Sequence, residues 1–245
     1  MFQLPNLIRD LVTANHILAD QGVVDAYGHV SVRHPGEPGQ YLLSRSRSPE
    51  LVEAGDIKLY HLDGTPVDDD GHQPYLERFI HGAIYEARPD VHAVIHSHAG
   101  AVLPFTVCDA PLVPVIHTAS DMGHRVPLWN IHERFGDTNL LVTCMEHGRD
   151  MACCMGEHRS VLMRGHGFTT TGRSLVEAVK AAIYMPENAR VLMQAMQMGK
   201  VIPLTAGEIE VRRQVAPDSP QMQRAWEYWS RRAGIAAAPQ APEGQ

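Results

Sequence analysis

Three histidines stand where a folded chain can gather ligands for one cation. Val94-Ile95-His96-Ser97-His98-Ala99-Gly100 ends an apolar run in His-x-His. On an extended strand residues i and i+2 face the same way, so both imidazoles can converge on one ion. Arg164-Gly165-His166-Gly167 closes a second apolar run. Its glycines allow a close backbone approach and let the ring swing toward a partner. Three imidazole ligands leave a coordination position open for substrate, as Lewis-acid catalysis requires. The competing reading of each is a hydrogen-bonded core histidine, and it stays the ordinary one for His92, His117 and His124.

A second group carries charge. Ser44-Arg45-Ser46-Arg47-Ser48-Pro49 sets two guanidinium groups two residues apart, which suits bidentate capture of a carboxylate. A solvated basic loop is the alternative. Elsewhere the 245 residues carry a formal net charge of −7 with no Lys/Arg run, which argues against a nucleic-acid partner. A composition of 44% hydrophobic residues supports a full core. Cys108, Cys144, Cys153 and Cys154 form no C-x-x-C pattern and read as buried, reduced thiols. No apolar h-region opens the chain and no stretch reaches membrane-spanning length, so no membrane partner and a cytoplasmic location are expected.

The elements that must position these groups follow from periodicity. Asn6 to Gln21 has helical apolar spacing and stops at Gly22. Short alternations at His29–Arg33, Tyr41–Ser44 and Ile57–Leu62 read as strands, the last running into Asp63-Gly64. Tyr75 to Arg88 reads as a helix, Val91–His96 as a buried strand, and a short helix is expected after His98. A strand at Asn139–Thr143, a helix at Gly148–Met155 and a strand at Arg159–Met163 follow. Ser174 to Gly199 reads as a long helix, with Ser174 as cap and Glu177 completing a capping box. Interleaved strands and helices give the α/β class. Near the end, Gln221–Arg232 bears Trp226, Tyr228 and Trp229 on a polar helix, which must dock on its own core or on a neighbour. The Ala/Pro/Gln-rich finish over 235–245 reads as a disordered tail.

Taken together these motifs resemble a known family. Glu77 in YLERFIHGAIYEARPDVHAVIHSH precedes His96-x-His98 by nineteen residues, and RGHG comes far downstream. Gly28-His29-Val30-Ser31-Val32-Arg33 matches a further region. Order and spacing are similar to the class II aldolase/adducin family over roughly residues 5–210. The resemblance implies a three-layer α/β fold with a mostly antiparallel central sheet flanked by helices. It implies one catalytic domain over 1–212, with the helical segment 213–234 packing at a subunit interface. It also implies a homotetramer with active sites between subunits. His96, His98 and His166 take the ligand roles, and Glu77 binds the metal or acts as acid/base. One divalent ion per subunit is implied, Zn or Mn foremost, with Co or Fe compatible with the same donors.

The ion would stabilise the enolate left by C–C cleavage, which serves aldol cleavage, epimerisation and decarboxylation alike. Departures from the family pattern favour the last. Phosphosugar-binding positions are replaced by His29, by the Arg45-Ser46-Arg47 segment and by Tyr75-Leu76. Where the family's aldolases carry a tyrosine proton donor, this chain reads Ile116-His117-Thr118. The pattern looks most like the decarboxylase branch, which acts on carboxylated hydroxymuconic semialdehydes or hydroxy-aryl dicarboxylates. In that frame Arg45, Ser46, Arg47 and His29 bind a small carboxylated substrate, and Leu42, Leu43 and Phe105 form an apolar wall. Glu77, His117 or His29 relays a proton to carbon. The rival readings are an aldolase on a non-phosphorylated hydroxy-oxo acid, a non-catalytic adducin-like scaffold, and a non-haem iron oxygenase built on two His and a carboxylate.

Overall fold

The computed structural model describes residues 3–68 and 70–235. Its centre is one seven-stranded sheet. In chain order the elements are α1 (Gln3–Asp20), β1 (His29–Arg33), β2 (Gln40–Ser44), β3 (Ile57–His61), α2 (Arg78–Ala87) and β4 (Ala93–Ser97). Then come β5 (Leu128–Trp129), α3 (Ile131–Phe135), α4 (Met145–Met155), β6 (Ser160–Met163), β7 (Gly167–Gly172), α5 (Leu175–Met198), α6 (Ala206–Arg213) and α7 (Pro220–Arg232). The strand order is β3-β2-β1-β4-β7-β6-β5. Every pairing is antiparallel except β5 with β6.

The two faces of the sheet bury two cores. Val30 and Val32 of β1 join Leu42, Ala93 and Ile95 against α1 and α5. Tyr41, Leu43 and Val94 join Ile80, Ile84 and Met151 against α2 and α4. Alternation therefore sends His29, Ser31 and Arg33 of β1 toward the α2 side, where all three are buried. Arg33 is satisfied there by the carbonyls of Val91, Pro38, Tyr85 and Arg88. The same alternation separates Leu42 from Leu43. They face opposite cores and do not form a common wall with Phe105.

Most expected elements are present with shifted ends, and one is not. Asn139–Thr143 is irregular. Leu140 has a φ of 65°, and the N–H groups of Leu140, Leu141 and Val142 donate to side chains of Thr138, Asn139 and Glu77. With its donors thus committed, the segment has no ladder to join. The helix at 75–88 starts only at Arg78, leaving Glu77 at its N-cap. After His98 the chain makes turns and a 3₁₀ helix at Leu103–Thr106. Ser174 does cap α5, accepting from Glu177 N at 3.2 Å. The return bond of the expected box is absent, because the Glu177 carboxylate turns instead to Arg173 N, Arg173 and Arg159.

On α7, Trp229 is buried against the α1–α5 core, Trp226 packs partly on it and Tyr228 is exposed. The four cysteines are free, and none is fully buried, Cys108 and Cys153 being exposed. No helix among the described residues is long and apolar enough to cross a membrane. The tail expected to be disordered lies outside the described residues from 236 onward.

Candidate metal centre

Four side chains from three stretches of the sequence meet at one end of the sheet. Glu77, His96, His98 and His166 each offer a ligand atom, and these atoms lie within 4.8 Å of one another. His96 comes from β4, and His98 follows it two residues on. His166 lies in the tight connection between β6 and β7, which needs both of its glycines. Gly165 has a φ of 64°, and a Cβ on Gly167 would meet the Ser97 carbonyl oxygen at 2.2 Å.

The three Nε2 atoms face each other at 2.9 Å (His96–His98), 2.9 Å (His98–His166) and 3.2 Å (His96–His166). Three ring nitrogens cannot all satisfy one another, since each neutral ring has one proton and one lone pair. The partners on the far sides of two rings decide which atom points inward. His166 Nδ1 lies 2.9 Å from the Leu140 carbonyl oxygen, an acceptor only, so Nδ1 carries the proton and Nε2 is bare. His96 Nδ1 lies 3.2 Å from Thr169 Oγ1, whose hydroxyl is directed at Met163 Sδ. His96 Nδ1–H therefore donates to Thr169, and its Nε2 also faces the cluster bare. Backing of this kind is what metal-ligating histidines need.

Glu77 completes the set with a carboxylate. Its Oε1 accepts from Val142 N at 3.0 Å, while Oε2 lies 3.6 Å from His96 Nε2 and 3.5 Å from His166 Nε2. Burial, reinforced by the neighbouring rings, holds His96 well below its ordinary pKa, and His98 is lowered for the same reasons. For His166 burial also acts downward, but the Glu77 carboxylate outweighs it and the pKa rises. Converging lone pairs, a carboxylate and backed rings fit a divalent cation. His98 also lines a cleft of about 160 Å³ with Val23, Val24, Asp25 and Gly100.

The structure brings His29 to the edge of this cluster. On paired strands His29 is opposite His96, with ring centroids 5.1 Å apart. Tyr75 lies on its other side at 4.8 Å and donates to the Arg47 carbonyl, linking His29 to the arginine loop. Leu76 points outward, 57% exposed. Arg45 and Arg47 do not project as a free pair. Arg45 Nε contacts Asp56 Oδ1 at 2.6 Å and Arg47 Nη1 contacts Asp56 Oδ2 at 2.9 Å. Burial acts to raise the Asp56 pKa, but the Glu53 N–H and the two arginines hold it below the usual carboxylate range. Ser46 contributes its backbone N–H to the Gln73 carbonyl. His117 is exposed at the start of the 3₁₀ helix His117–Met122.

Two residues that join this arrangement, His81 and Asp56, are not among the candidate residues read from the sequence. His81 bonds His29, its Nε2 lying 2.6 Å from His29 Nδ1. It follows Glu77 by one helical turn, and that i, i+4 relation was the available signal. Asp56 had none, being an ordinary acid in a short 3₁₀ turn.

Comparison with known proteins places the chain in a family. Residues 9–193 match the family model described as Class II Aldolase and Adducin N-terminal domain. The chain is 33% identical over 246 residues to Decarboxylase tropJ of Talaromyces stipitatus, covering 91% of this chain and 92% of that one. It is 30% identical over 199 residues to 3,4-dihydroxyphthalate decarboxylase of Arthrobacter keyseri, covering 77% and 78%. Among solved structures, an aldolase II superfamily protein from Pseudomonas syringae superposes with a TM-score of 0.77 at 21% identity, covering 93% and 92%.

Proposed function

Since this chain belongs to the class II aldolase and adducin family, we propose that it is a divalent-metal-dependent decarboxylase. Its substrate would be a hydroxy-aryl dicarboxylate or a carboxylated hydroxymuconic semialdehyde. The observation that carries the reading is the pairing of a complete His₃–Glu cluster with His29 and an arginine loop beside it. Similarity to decarboxylases over most of the chain supports the same reaction type.

A divalent ion held by His96, His98, His166 and Glu77 would supply Lewis-acid stabilisation of the enolate oxygen that develops as CO₂ leaves. The protein's own contributions follow from charge and donors. Arg45 and Arg47 bond Asp56, and Arg47 also lies 3.9 Å from the exposed Glu53 carboxylate. The attraction for a substrate carboxylate therefore rests on guanidinium donors left unused rather than on a surplus of charge. Each arginine bonds Asp56 through a single nitrogen, and a guanidinium has five N–H donors in all. The arginines thus remain able to anchor a carboxylate while Asp56 holds them in place. His29, buried between Tyr75 and His96, meets the substrate from the side. CO₂ departs without a proton, so the remaining carbanion must be protonated, and Glu77 and His29 are the groups at hand. In a homotetramer with sites at subunit interfaces, the exposure of His117 suits service in a neighbouring subunit.

The test is to incubate metal-replete protein with 3,4-dihydroxyphthalate, related hydroxyphthalates and carboxylated hydroxymuconic semialdehydes while measuring CO₂. Release from at least one of them is expected. Release from none, with an aldehyde or pyruvate formed from a hydroxy-oxo acid, would replace the decarboxylase by an aldolase using the same cluster.

A further inference from the structure

Beneath His29 runs a line of buried polar side chains to which decarboxylation as described assigns no task. His29 Nδ1 lies 2.6 Å from His81 Nε2, and His81 Nδ1 lies 2.6 Å from Ser31 Oγ. Ser31 Oγ in turn lies 2.8 Å from the Tyr85 hydroxyl. All four residues are at most 4% exposed. We propose that His81, oriented by Ser31 and Tyr85, is a positioning residue that fixes His29 as its Nε2–H tautomer. His29 then presents its Nε2–H to the substrate and stays out of the metal's coordination.

The direction of the chain follows from counting protons. Burial pushes the Tyr85 phenol well above its ordinary pKa, so it keeps its proton. Among the described residues the acceptor it meets is Ser31 Oγ. Accepting from His81 as well would leave the buried Ser31 hydrogen unpaired, so Ser31 directs that hydrogen to His81 Nδ1. A neutral His81 that accepts at Nδ1 carries its proton on Nε2 and donates it to His29 Nδ1. His29 is left with its proton on Nε2. The reverse order would point the phenol hydrogen away from Ser31 and leave a buried donor unpaired, which proteins avoid.

This polarity separates two kinds of histidine within one cluster. His96 and His166 are backed by groups that take a proton at Nδ1, so their Nε2 atoms are bare and fit to ligate. His29, opposite His96 on the paired strands, is backed by a donor. A ring nitrogen that carries hydrogen cannot coordinate a cation, so His29 remains a hydrogen-bond donor beside the ligands. The oxygen it would meet, carboxylate or phenolic, depends on the decarboxylase reading. The tautomer does not.

The test is ¹⁵N NMR of the full-length, zinc-loaded protein labelled at histidine, with the His29 signals identified by their loss in His29→Asn. Wild type is expected to show His29 with Nε2 protonated and Nδ1 bare. Ser31→Ala removes the donor to His81 and should leave His29 as a mixture of both tautomers, with zinc content unchanged. A wild-type His29 protonated at Nδ1, or an unmixed Nε2–H tautomer in Ser31→Ala, would overturn the proposal. In CO₂ release, His81→Leu should lower kcat about 10- to 100-fold at unchanged metal content. His81→Gln should recover most of that loss, since its amide can donate to His29 and accept from Ser31. Equal loss in both would mean that His81 only fills space. If no substrate releases CO₂ while the tautomer result holds, the substrate class is wrong and the relay stands.

Discussion

His166 Nδ1 lies 2.9 Å from the carbonyl oxygen of Leu140, a residue held at a φ of 65°. The irregular stretch around Leu140 thereby aims one ligand, and two residues on, Val142 N–H anchors Glu77. Two of the four side chains of the candidate metal centre depend on one short loop.

His98 Nε2 contacts both other ring nitrogens at 2.9 Å, so His98→Ala opens the middle of the set. The variant should fold, lose its bound ion on gel filtration and lose turnover roughly a thousandfold or more, given that such an ion supplies several kcal/mol of charge stabilisation. Metal analysis beside CO₂ release checks it. Full activity in His98→Ala would show that the ligand assignment is wrong.

Substrate anchoring is separable from metal binding. Arg47→Ala removes a charged hydrogen-bond donor, a contribution of about 1.5–3 kcal/mol, so KM for a carboxylated substrate should rise roughly 10- to 100-fold with metal content unchanged. Asp56→Asn should raise KM by less, because the arginines keep their charge and lose only their brace. A KM unaffected by either change would reduce the loop to a structural feature.

The approach of β7 to β4 is steric. Gly167→Ala would set a methyl group 2.2 Å from the Ser97 carbonyl oxygen, and an overpacked contact costs ~1–3 kcal/mol. A lowered midpoint in urea denaturation, together with weakened metal binding through the displaced His166, is the expected outcome. Unchanged stability would mean that the connection can shift without cost.

Acid stability should depend on Glu177. Burial acts to raise its pKa, but Arg173 and Arg159 outweigh burial and bring it down to about 2. A carboxyl depressed in the folded state stabilises above its unfolded pKa of 4.5, and that stability fades as pH falls toward about 2. The linked contribution is on the order of 2–3 kcal/mol. Denaturation curves for Glu177→Gln should accordingly show a large loss at pH 7 that narrows steadily below pH 4.5. A gap constant across that range would assign the effect to packing.

How far the sequence discloses this site depends on the kind of contact. His96 and His98 are legible because strand alternation puts residues i and i+2 on one face, and the glycines around His166 announce a tight approach. The sheet order is not legible in this way. The pairing of His29 with His96 arises from a crossover that periodicity does not encode. Asn139–Thr143 reads as a strand because Leu140, Leu141 and Val142 form an apolar run, yet their N–H groups bond side chains, one of them that of Glu77. Asp56 is hidden for a related reason, since its importance lies in the two arginines that the β2–β3 connection folds back onto it.

The central claim is that C–C cleavage here depends on a cation held by Glu77, His96, His98 and His166. The most direct measurement is CO₂ release from 3,4-dihydroxyphthalate, or from whichever panel compound reacts fastest, by the same protein before chelation, after it and after restoring one divalent ion per chain. Loss of release on chelation and its return with the ion is the expected result. Undiminished release from protein shown by elemental analysis to be free of metal would contradict the account.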